Sequence, residues 1–342
     1  MSATSLAPDP AAINAYYTAL ESYWHPVASC ESIAERPVGV ELLGRPLVLV
    51  RLEGDLCCFD DVCRHLGTAL SIGEVIEGRA LRCAYHGWTY DRAGRCVDIP
   101  ARRGLPIPRE AKVRAYQVQE AYGLAWVCVA ETPGAGIPRF PEYDDPSFHK
   151  TPLRAYPAWR ASAPRVVMGA LDDTHFPWVH EGILGDRSHP EPPDHEVHRE
   201  GEELVSTYTM LQPANASISG QDVSRELESV TYTNYVTPTT IRLTKVGPAG
   251  TYVIWHTASP LAFDRTLVFL HMARDFDLDP EHDQGYLDFE DVIQAQDRPI
   301  VESQRPWLLP PLNSRLLLYI RPADLPLIAF QKWLEDLGIP QI

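Results

Sequence analysis

Two short segments in the first hundred residues each hold one cysteine and one histidine. They read Cys63-Arg64-His65 and, after seventeen intervening residues, Cys83-Ala84-Tyr85-His86. Thiolates are soft metal ligands, whereas imidazoles suit iron, copper and zinc, so two of each form a ligand set for a centre with chemically unlike ends. The spacing therefore predicts one metal centre that is held by all four side chains.

Two kinds of centre are compatible with this ligand set. Structural zinc accepts two Cys and two His, but zinc fingers usually pair like ligands, as C-x₂₋₄-C with H-x₃₋₅-H. Here each half mixes one Cys with one His. Two thiolates on one iron and two imidazoles on the other form a Rieske [2Fe–2S] cluster, whose His ligands raise the reduction potential. The mixed order favours this cluster, and a zinc-stabilised binding module is the alternative.

A second group of candidate ligands lies in the stretch LDDTHFPWVH. Asp172 and His175 are three residues apart, so they share a face if the segment is helical. His175 and His180 are five apart and would diverge by about 140° on a regular helix. Pro177 lies between them and disrupts the regular turn, which allows both imidazoles to converge. Ordinary core or surface histidines are the alternative, but a cluster upstream needs an electron acceptor.

Two His and one carboxylate form the facial triad of non-haem Fe(II) oxygenases, so a third ligand is expected from distant sequence. Asp297 interrupts an apolar stripe at helical spacing, where an unpaired carboxylate would be costly. A metal would remove that cost. The competing interpretation is that Asp297 caps a helix that begins at Arg298-Pro299. Glu290 and Asp291 are the fallback ligands.

These motifs resemble those of the Rieske oxygenases. Thr68 and Gly87-Trp88 stand where the Rieske proteins of cytochrome complexes carry an additional Cys, so the oxygenase type is the better match. The resemblance extends from WHPVA to KWLEDLG. The chain length and the segment QDRPIVESQRP resemble the branch of vanillate and dicamba demethylases and toluenesulfonate methyl-monooxygenase more than the larger ring-dihydroxylating subunits.

The resemblance implies a role for each of these residues. The cluster ligands would be Cys63, His65, Cys83 and His86, and the ligands of a mononuclear Fe(II) would be His175, His180 and Asp297. Asp172 would hydrogen-bond a ligand His and also a cluster His of a neighbouring subunit in a homotrimer. Gly169 stands where the family commonly has Asn, so the contribution of that Asn is absent or comes from elsewhere.

The composition limits the partners of the chain. Its 30 basic and 46 acidic residues give a net charge of −16, which argues against nucleic acids and acidic membrane surfaces. No segment approaches the ~20 apolar residues of a membrane helix, and MSATSLAPDPAAINAYY has no secretory pattern, so a cytoplasmic location is expected. Five cysteines lie outside the ligand set, and this odd number favours reduced thiols.

The order of elements predicts an α+β protein with two principal domains, since 342 residues exceed the ~250–300 at which one core stops growing. Residues 131–147 are rich in Pro, Gly and acidic side chains, as in a linker. We expect a helical lead-in (1–35), an all-β Rieske domain (36–135), a linker (136–150) and a catalytic domain (151–342). The catalytic domain should resemble a helix-grip fold, with an antiparallel sheet packed on helices.

These expectations describe the terminal component of an oxygenase. Single electrons would come from a separate, NAD(P)H-dependent reductase or a ferredoxin, because the chain has no G-x-G-x-x-G sequence for a flavin or nicotinamide. The mononuclear iron would activate O₂ beside a small organic substrate, which is expected to be aromatic, for a monooxygenation such as O- or N-demethylation. Ring dihydroxylation and a non-catalytic electron carrier are the alternatives. Several polar or aromatic residues are candidates for the substrate pocket or for plain packing: Trp159, Tyr232, Asn234, Trp255 and His256.

Overall fold

The computed structural model describes residues 8–33, 36–213, 227–314 and 316–339. Contacts between Cα atoms group the chain into two compact units. The smaller unit comprises Leu20–Ile137 and Pro260–Ala262, and the larger unit comprises Met1–Ala19, Pro138–Ser259 and Phe263–Ile342. The domain boundaries expected from the sequence stay a prediction. Parts of the expected lead-in and catalytic domain, at 1–7, 34–35, 214–226, 315 and 340–342, lie outside the described residues.

Among the described residues of the smaller unit, ten strands form two antiparallel sheets. They are β1 (Trp24–Ser29), β2 (Val38–Leu42), β3 (Arg45–Leu52), β4 (Asp55–Asp60), β5 (Glu74–Ile76), β6 (Ala80–Arg82), β7 (Thr89–Tyr90), β8 (Cys96–Asp98), β9 (Ala115–Ala121) and β10 (Leu124–Cys128). The larger sheet has the order β1-β10-β9-β4-β3-β2, and the smaller one has the order β5-β6-β7-β8. Short 3₁₀ helices span Cys30–Ser32, Leu70–Ile72 and Pro100–Arg102.

The sequence explains how these strands pair and what they bury. β3 and β4 are joined by the two-residue turn Glu53-Gly54, in which both residues have positive φ, as a type I′ hairpin requires. Inward-facing apolar residues of both sheets form one core, which includes Val48, Phe59 and Leu81. The all-β prediction for the N-terminal domain is confirmed.

In the part of the larger unit that the structure describes, eight strands are combined with helices. The strands are β11 (His149–Lys150), β12 (Arg154–Trp159), β13 (Glu196–Glu200), β14 (Glu203–Pro213), β15 (Leu227–Val236), β16 (Thr240–Gly247), β17 (Gly250–Ala262) and β18 (Arg265–Arg274). The helices are α1 (Pro10–Leu20), α2 (Pro141–Asp144), α3 (Ala163–Leu171), α4 (Phe176–Val179), α5 (Asp283–Ser303) and α6 (Leu325–Asp336). Two 3₁₀ helices span Pro280–His282 and Leu312–Ser314.

All of these strands belong to one antiparallel sheet. Its strand order is β11-β18-β17-β16-β15-β14-β13, and β12 also pairs with β18. On β15 the buried positions alternate, so that Tyr232 and Asn234 face the interior while the residues between them are half-buried. Helix α3 contacts β16, β18 and the long helix α5. Sheet and helices together form the α+β catalytic domain that the sequence predicts.

The described part of the chain contains no helix that combines the length and apolar character that a membrane crossing requires.

Candidate metal centres and their cavity

The two predicted cluster segments form a pair of similar loops in the smaller unit. The first lies between β4 and β5, and the second joins β6 to β7. In each loop the cysteine amide closes a turn: the N–H of Cys63 donates to the carbonyl of Thr68, and that of Cys83 to the carbonyl of Trp88, each at 2.8 Å. The backbone thus holds both cysteines in equivalent positions.

Thiols and imidazoles occupy opposite sides of this pair of loops. Cys63 and Cys83 are each only 2% exposed and belong to the core. His65 and His86 are exposed, and their ring centroids lie 4.6 Å apart. The ring of His65 also stacks on Trp88, with centroids 4.8 Å apart. A buried pair of thiols beside an exposed pair of imidazoles fits a Rieske cluster, in which each pair holds one iron.

A tyrosine that sequence reasoning did not identify touches this site. The hydroxyl oxygen of Tyr90 accepts a hydrogen bond from the amide of Arg64 at 3.1 Å, and it lies 3.2 Å from the sulfur of Cys63. Because the oxygen already accepts from Arg64, its proton is free to point toward the sulfur. Hydrogen bonds to ligand sulfurs raise the potential of an iron–sulfur cluster.

The second candidate centre is built where two helices of the larger unit break. Helix α3 ends at Leu171, Asp172 follows in extended conformation, and His175 precedes the short helix α4. His180 directly follows α4. The break therefore lies at residues 172–174, before both histidines, and the expected disruption at Pro177 is wrong, because Pro177 lies in the first turn of α4. The Nε2 atoms of the two histidines nevertheless lie 3.2 Å apart.

Asp297 completes a three-residue group with these histidines. Its Oδ1 lies 2.9 Å from Nε2 of His180 and 3.4 Å from Nε2 of His175. The three ligand atoms all lie within 4.8 Å of one another. Two imidazole nitrogens and one carboxylate oxygen on a single face form the donor set of a 2-His-1-carboxylate iron site, so the residues present fit a mononuclear Fe(II).

The alternatives for the third ligand do not occupy this position. Helix α5 runs through Asp297, so the interpretation of Asp297 as a helix cap is wrong. Asp291 instead pairs with Arg154 at 2.6 Å and accepts a hydrogen bond from the hydroxyl of Tyr156. Glu290 lines the same cavity as Asp297 but does not belong to the three-residue group.

Each histidine of the group makes a second hydrogen bond that fixes its ring. Nδ1 of His175 lies 3.3 Å from Oδ2 of Asp172, whose Oδ1 accepts from the amide and hydroxyl of Thr174. Nδ1 of His180 lies 2.7 Å from Oε1 of Gln296. Because both outer partners are acceptors, each Nδ1 donates its proton to that partner, so each Nε2 is the atom that would bind a metal once any proton on it is released. Gln296 was not predicted from the sequence, although it is adjacent to Asp297.

The charges of this group stabilise one another. Burial alone would lower the pKa of His175, but its hydrogen bonds with Asp172 and Asp297 outweigh burial and raise this pKa to about 9. Burial would raise the pKa of both carboxyls, yet the histidines hold the pKa of Asp172 and of Asp297 below the usual range. Both carboxylates are therefore ionised at neutral pH and available to a cation.

A cavity opens beside the three-residue group, with an empty volume of about 560 Å³ that includes the solvent at its mouth. Its lining comes from the sheet, from α3 and from α5, and is mostly apolar. Of the sequence-predicted pocket residues, Tyr232 and His256 line it. Trp159, Asn234 and Trp255 are buried elsewhere in the unit, and none is among the described lining residues.

Gly169, which replaces the family's usual Asn, also lines this cavity. A Cβ atom at this position would lie only 3.0 Å from Cγ2 of Val301 on α5. The glycine therefore permits close packing of α3 on α5, and a longer side chain here would displace Val301.

Comparison with known families matches both units. Residues 23–116 match the Rieske [2Fe-2S] domain, and residues 159–338 match the vanillate O-demethylase oxygenase C-terminal domain. The second match covers more than half of the chain. The protein belongs to the Rieske oxygenases of the vanillate O-demethylase type, and it is accordingly an oxidoreductase with a Rieske cluster, a mononuclear iron and O₂ as co-substrate.

Relatives with full-length similarity come from Pseudomonas putida. Methylxanthine N1-demethylase NdmA is 30% identical over 338 residues, which cover 96% of this chain and 92% of the relative. Methylxanthine N3-demethylase NdmB is also 30% identical, with 95% and 91% coverage. The structure of NdmA with caffeine superposes with a TM-score of 0.83 at 29% identity, over 95% of this chain and 93% of that one.

Proposed function

We propose that this protein removes a methyl group oxidatively from a nitrogen or oxygen atom of a small aromatic or heteroaromatic compound. The observation that carries the proposal is the group His175, His180 and Asp297 at the wall of a mostly apolar cavity. Similarity over nearly the whole length of two N-demethylases supports the same reaction.

In this proposal the residues have the roles expected from the sequence. The iron ligands are His175, His180 and Asp297, and the cluster ligands are Cys63, His65, Cys83 and His86. When bound, the cluster supplies single electrons and the mononuclear iron supplies the reaction with O₂. Asp172 and Gln296 orient the two histidine rings, and the apolar wall keeps water from the reacting methyl group.

The reaction balances as a monooxygenation. One oxygen atom of O₂ is inserted into a C–H bond of the methyl group, and the other leaves as water with two electrons and two protons. The hydroxymethyl product then breaks its C–N or C–O bond and releases formaldehyde. We propose that the electrons come from a separate reductase or ferredoxin, that the chain forms a homotrimer, and that it acts in the cytoplasm.

Formaldehyde release tests this proposal. The iron-loaded protein, supplied with NADH and a surrogate reductase, is incubated with a panel of N-methyl and methoxy aromatics. We expect one substrate to give formaldehyde, demethylated product and O₂ consumption in equal amounts, and Asp297→Ala to abolish all three. A dihydrodiol product would support ring dihydroxylation instead, and two rather than three iron atoms per chain would support an electron carrier.

A further inference from the structure

A buried lysine breaks the apolar wall of the cavity. Ile241, Leu243 and Lys245 alternate along β16, and all three line the cavity. Lys245 is only 5% exposed. Burying an ammonium group is costly unless it is paired and hydrogen-bonded, so an apolar residue would suit this position better if packing were its sole role.

The neighbours of Lys245 do not supply such a partner. Tyr232 and Tyr252 lie directly opposite it on the two adjacent strands. Their ring centroids lie 5.5 and 5.7 Å from Nζ, close enough for cation–π attraction. Within the described ranges, however, no hydrogen bond or ion pair of Nζ is present. The ammonium group therefore has unused donors beside the cavity.

Helix α5 faces this lysine with a second set of unused polar atoms. Glu290, Gln294 and Asp297 lie on one face of the helix and all line the cavity. Glu290 is 2% exposed, and its one hydrogen bond in the described structure comes from the hydroxyl of Tyr252, at 3.4 Å. Oε1 of Gln294 is buried without a partner. Seven residues of helix span about 10 Å, so Glu290 and the iron group occupy opposite ends of the wall.

The lysine and the glutamate neutralise each other. Burial lowers the pKa of Lys245 and raises that of Glu290, and in each case the charge of the other residue opposes the shift. With both groups ionised, or with both neutral, the two residues together have no net charge. The pair therefore offers a hydrogen-bond donor and an acceptor, but no net positive field for a carboxylate or sulfonate.

We propose that Lys245 and Glu290 bind the end of the substrate opposite its reacting methyl group, and that they select neutral heteroaromatic rings with an N–H next to a carbonyl. Nζ of Lys245 donates to the carbonyl oxygen, and the carboxylate of Glu290 accepts from the N–H. A flat ring system fills the apolar space between this pair and the iron group. The inference rests on the proposed demethylase function and specifies its substrate class.

Equilibrium binding tests the inference without turnover. Calorimetry on the oxidised, iron-loaded protein compares theobromine, which has an N–H between two carbonyls, with caffeine, in which that nitrogen is methylated, and with 4-methoxybenzoate, an anion. We expect theobromine to bind most tightly and 4-methoxybenzoate most weakly. In Lys245→Met both xanthines should bind more weakly, by about 10- to 100-fold, because a charge-assisted hydrogen bond to their carbonyl is lost.

The double variant Lys245→Met/Glu290→Leu removes both polar groups and leaves no unpaired buried charge. Its preference for theobromine over caffeine should disappear, while its iron content and melting temperature stay near those of the exposed-site control Lys332→Met. Wild-type protein that binds caffeine or 4-methoxybenzoate as tightly as theobromine, or a double variant that keeps the preference, would overturn the inference. Formaldehyde release is scored separately, so that wild-type protein that releases formaldehyde but shows no preference for theobromine refutes only this inference and not the demethylase function.

Discussion

The residues proposed to hold the two centres could be selected from the sequence because metal ligands have few substitutes. The mixed Cys–His pairs and the group of Asp172, His175 and His180 are recognisable by type and spacing alone. The outer residues were not predicted. Tyr90 and Gln296 each contact one of the proposed ligands through a side-chain polar atom, and only the folded structure shows that contact. A Tyr or a Gln is too common in sequences for its presence alone to indicate such a role.

Tyr90→Phe should lower the reduction potential of the cluster. Loss of one hydrogen bond of about 0.5–1.5 kcal/mol to the sulfur of Cys63 corresponds to roughly 20–60 mV for a one-electron couple. Redox titration monitored by paramagnetic resonance measures the shift. Tyr116→Phe is the matched control, because its hydroxyl bonds Asp60 instead of a cluster ligand. Equal potentials in both variants would exclude a bond from Tyr90 to the sulfur.

Asp297→Ala should remove the mononuclear iron and leave the visible absorbance of the cluster intact. The reason is that Asp297 contributes the one carboxylate oxygen of the three-residue group. Iron analysis should fall from three to two atoms per chain. Asp291→Ala serves as the control from the same helix, and it should lose the ion pair with Arg154 but keep all iron. Full iron loading of Asp297→Ala would assign the third ligand to another residue.

Helices and strands could be predicted from the sequence where their apolar residues follow a regular period. They were harder to predict where polar residues or proline interrupt that period. Alternation in the strands and the long stripe of α5 follow from periodicity. The sequence did not reveal how far α5 runs, because Asp297 and Pro299 both suggest a helix start. In the structure α5 runs through both residues, and it packs on α3. The buried Lys245 was missed as well, because a lysine in a strand usually indicates an exposed position.

Gly185→Ala tests the backbone that supports the short helix α4. A Cβ at this position would lie 2.6 Å from the backbone nitrogen of Pro177 and 2.8 Å from the carbonyl carbon of Phe176, so the turn between His175 and His180 must shift. We expect at least a tenfold loss of affinity for Fe(II), because substitutions of residues that support metal ligands typically cost about 10- to 100-fold. Titration of the iron-depleted protein with Fe(II) measures the affinity. Gly136→Ala, in open space, should bind iron normally.

At the scale of the whole molecule, function requires that electrons travel from the cluster to the mononuclear iron. Asp172 is the residue proposed to link these sites between neighbouring subunits of a trimer. The structure accounts for half of this role, since Oδ2 of Asp172 lies 3.3 Å from Nδ1 of His175. The other contact, from Asp172 to a cluster histidine, would be made with a second copy of the chain, and a single sequence does not determine where that copy lies.

Asp172→Asn should retain both kinds of iron but slow the reoxidation of the reduced cluster by at least tenfold. The amide removes one negative charge beside His175 and weakens the hydrogen bond that links the sites. Stopped-flow absorbance after mixing the reduced protein with O₂ and substrate measures the rate. Asp186→Asn, an exposed substitution in the same unit, is the control. An unchanged rate in Asp172→Asn would leave electron transfer to another route.

Cys63 and Cys83 are buried, whereas His65 and His86 are exposed, so the histidine side of a bound cluster would face solvent and its cysteine side would face the protein core. A histidine-modifying reagent in solution would reach the histidine side directly, whereas a thiol reagent would reach the cysteines only after the loops open. Oxidative damage should follow the same direction, so that the imidazole-bound iron is released first and the sulfur-bound iron is retained longest.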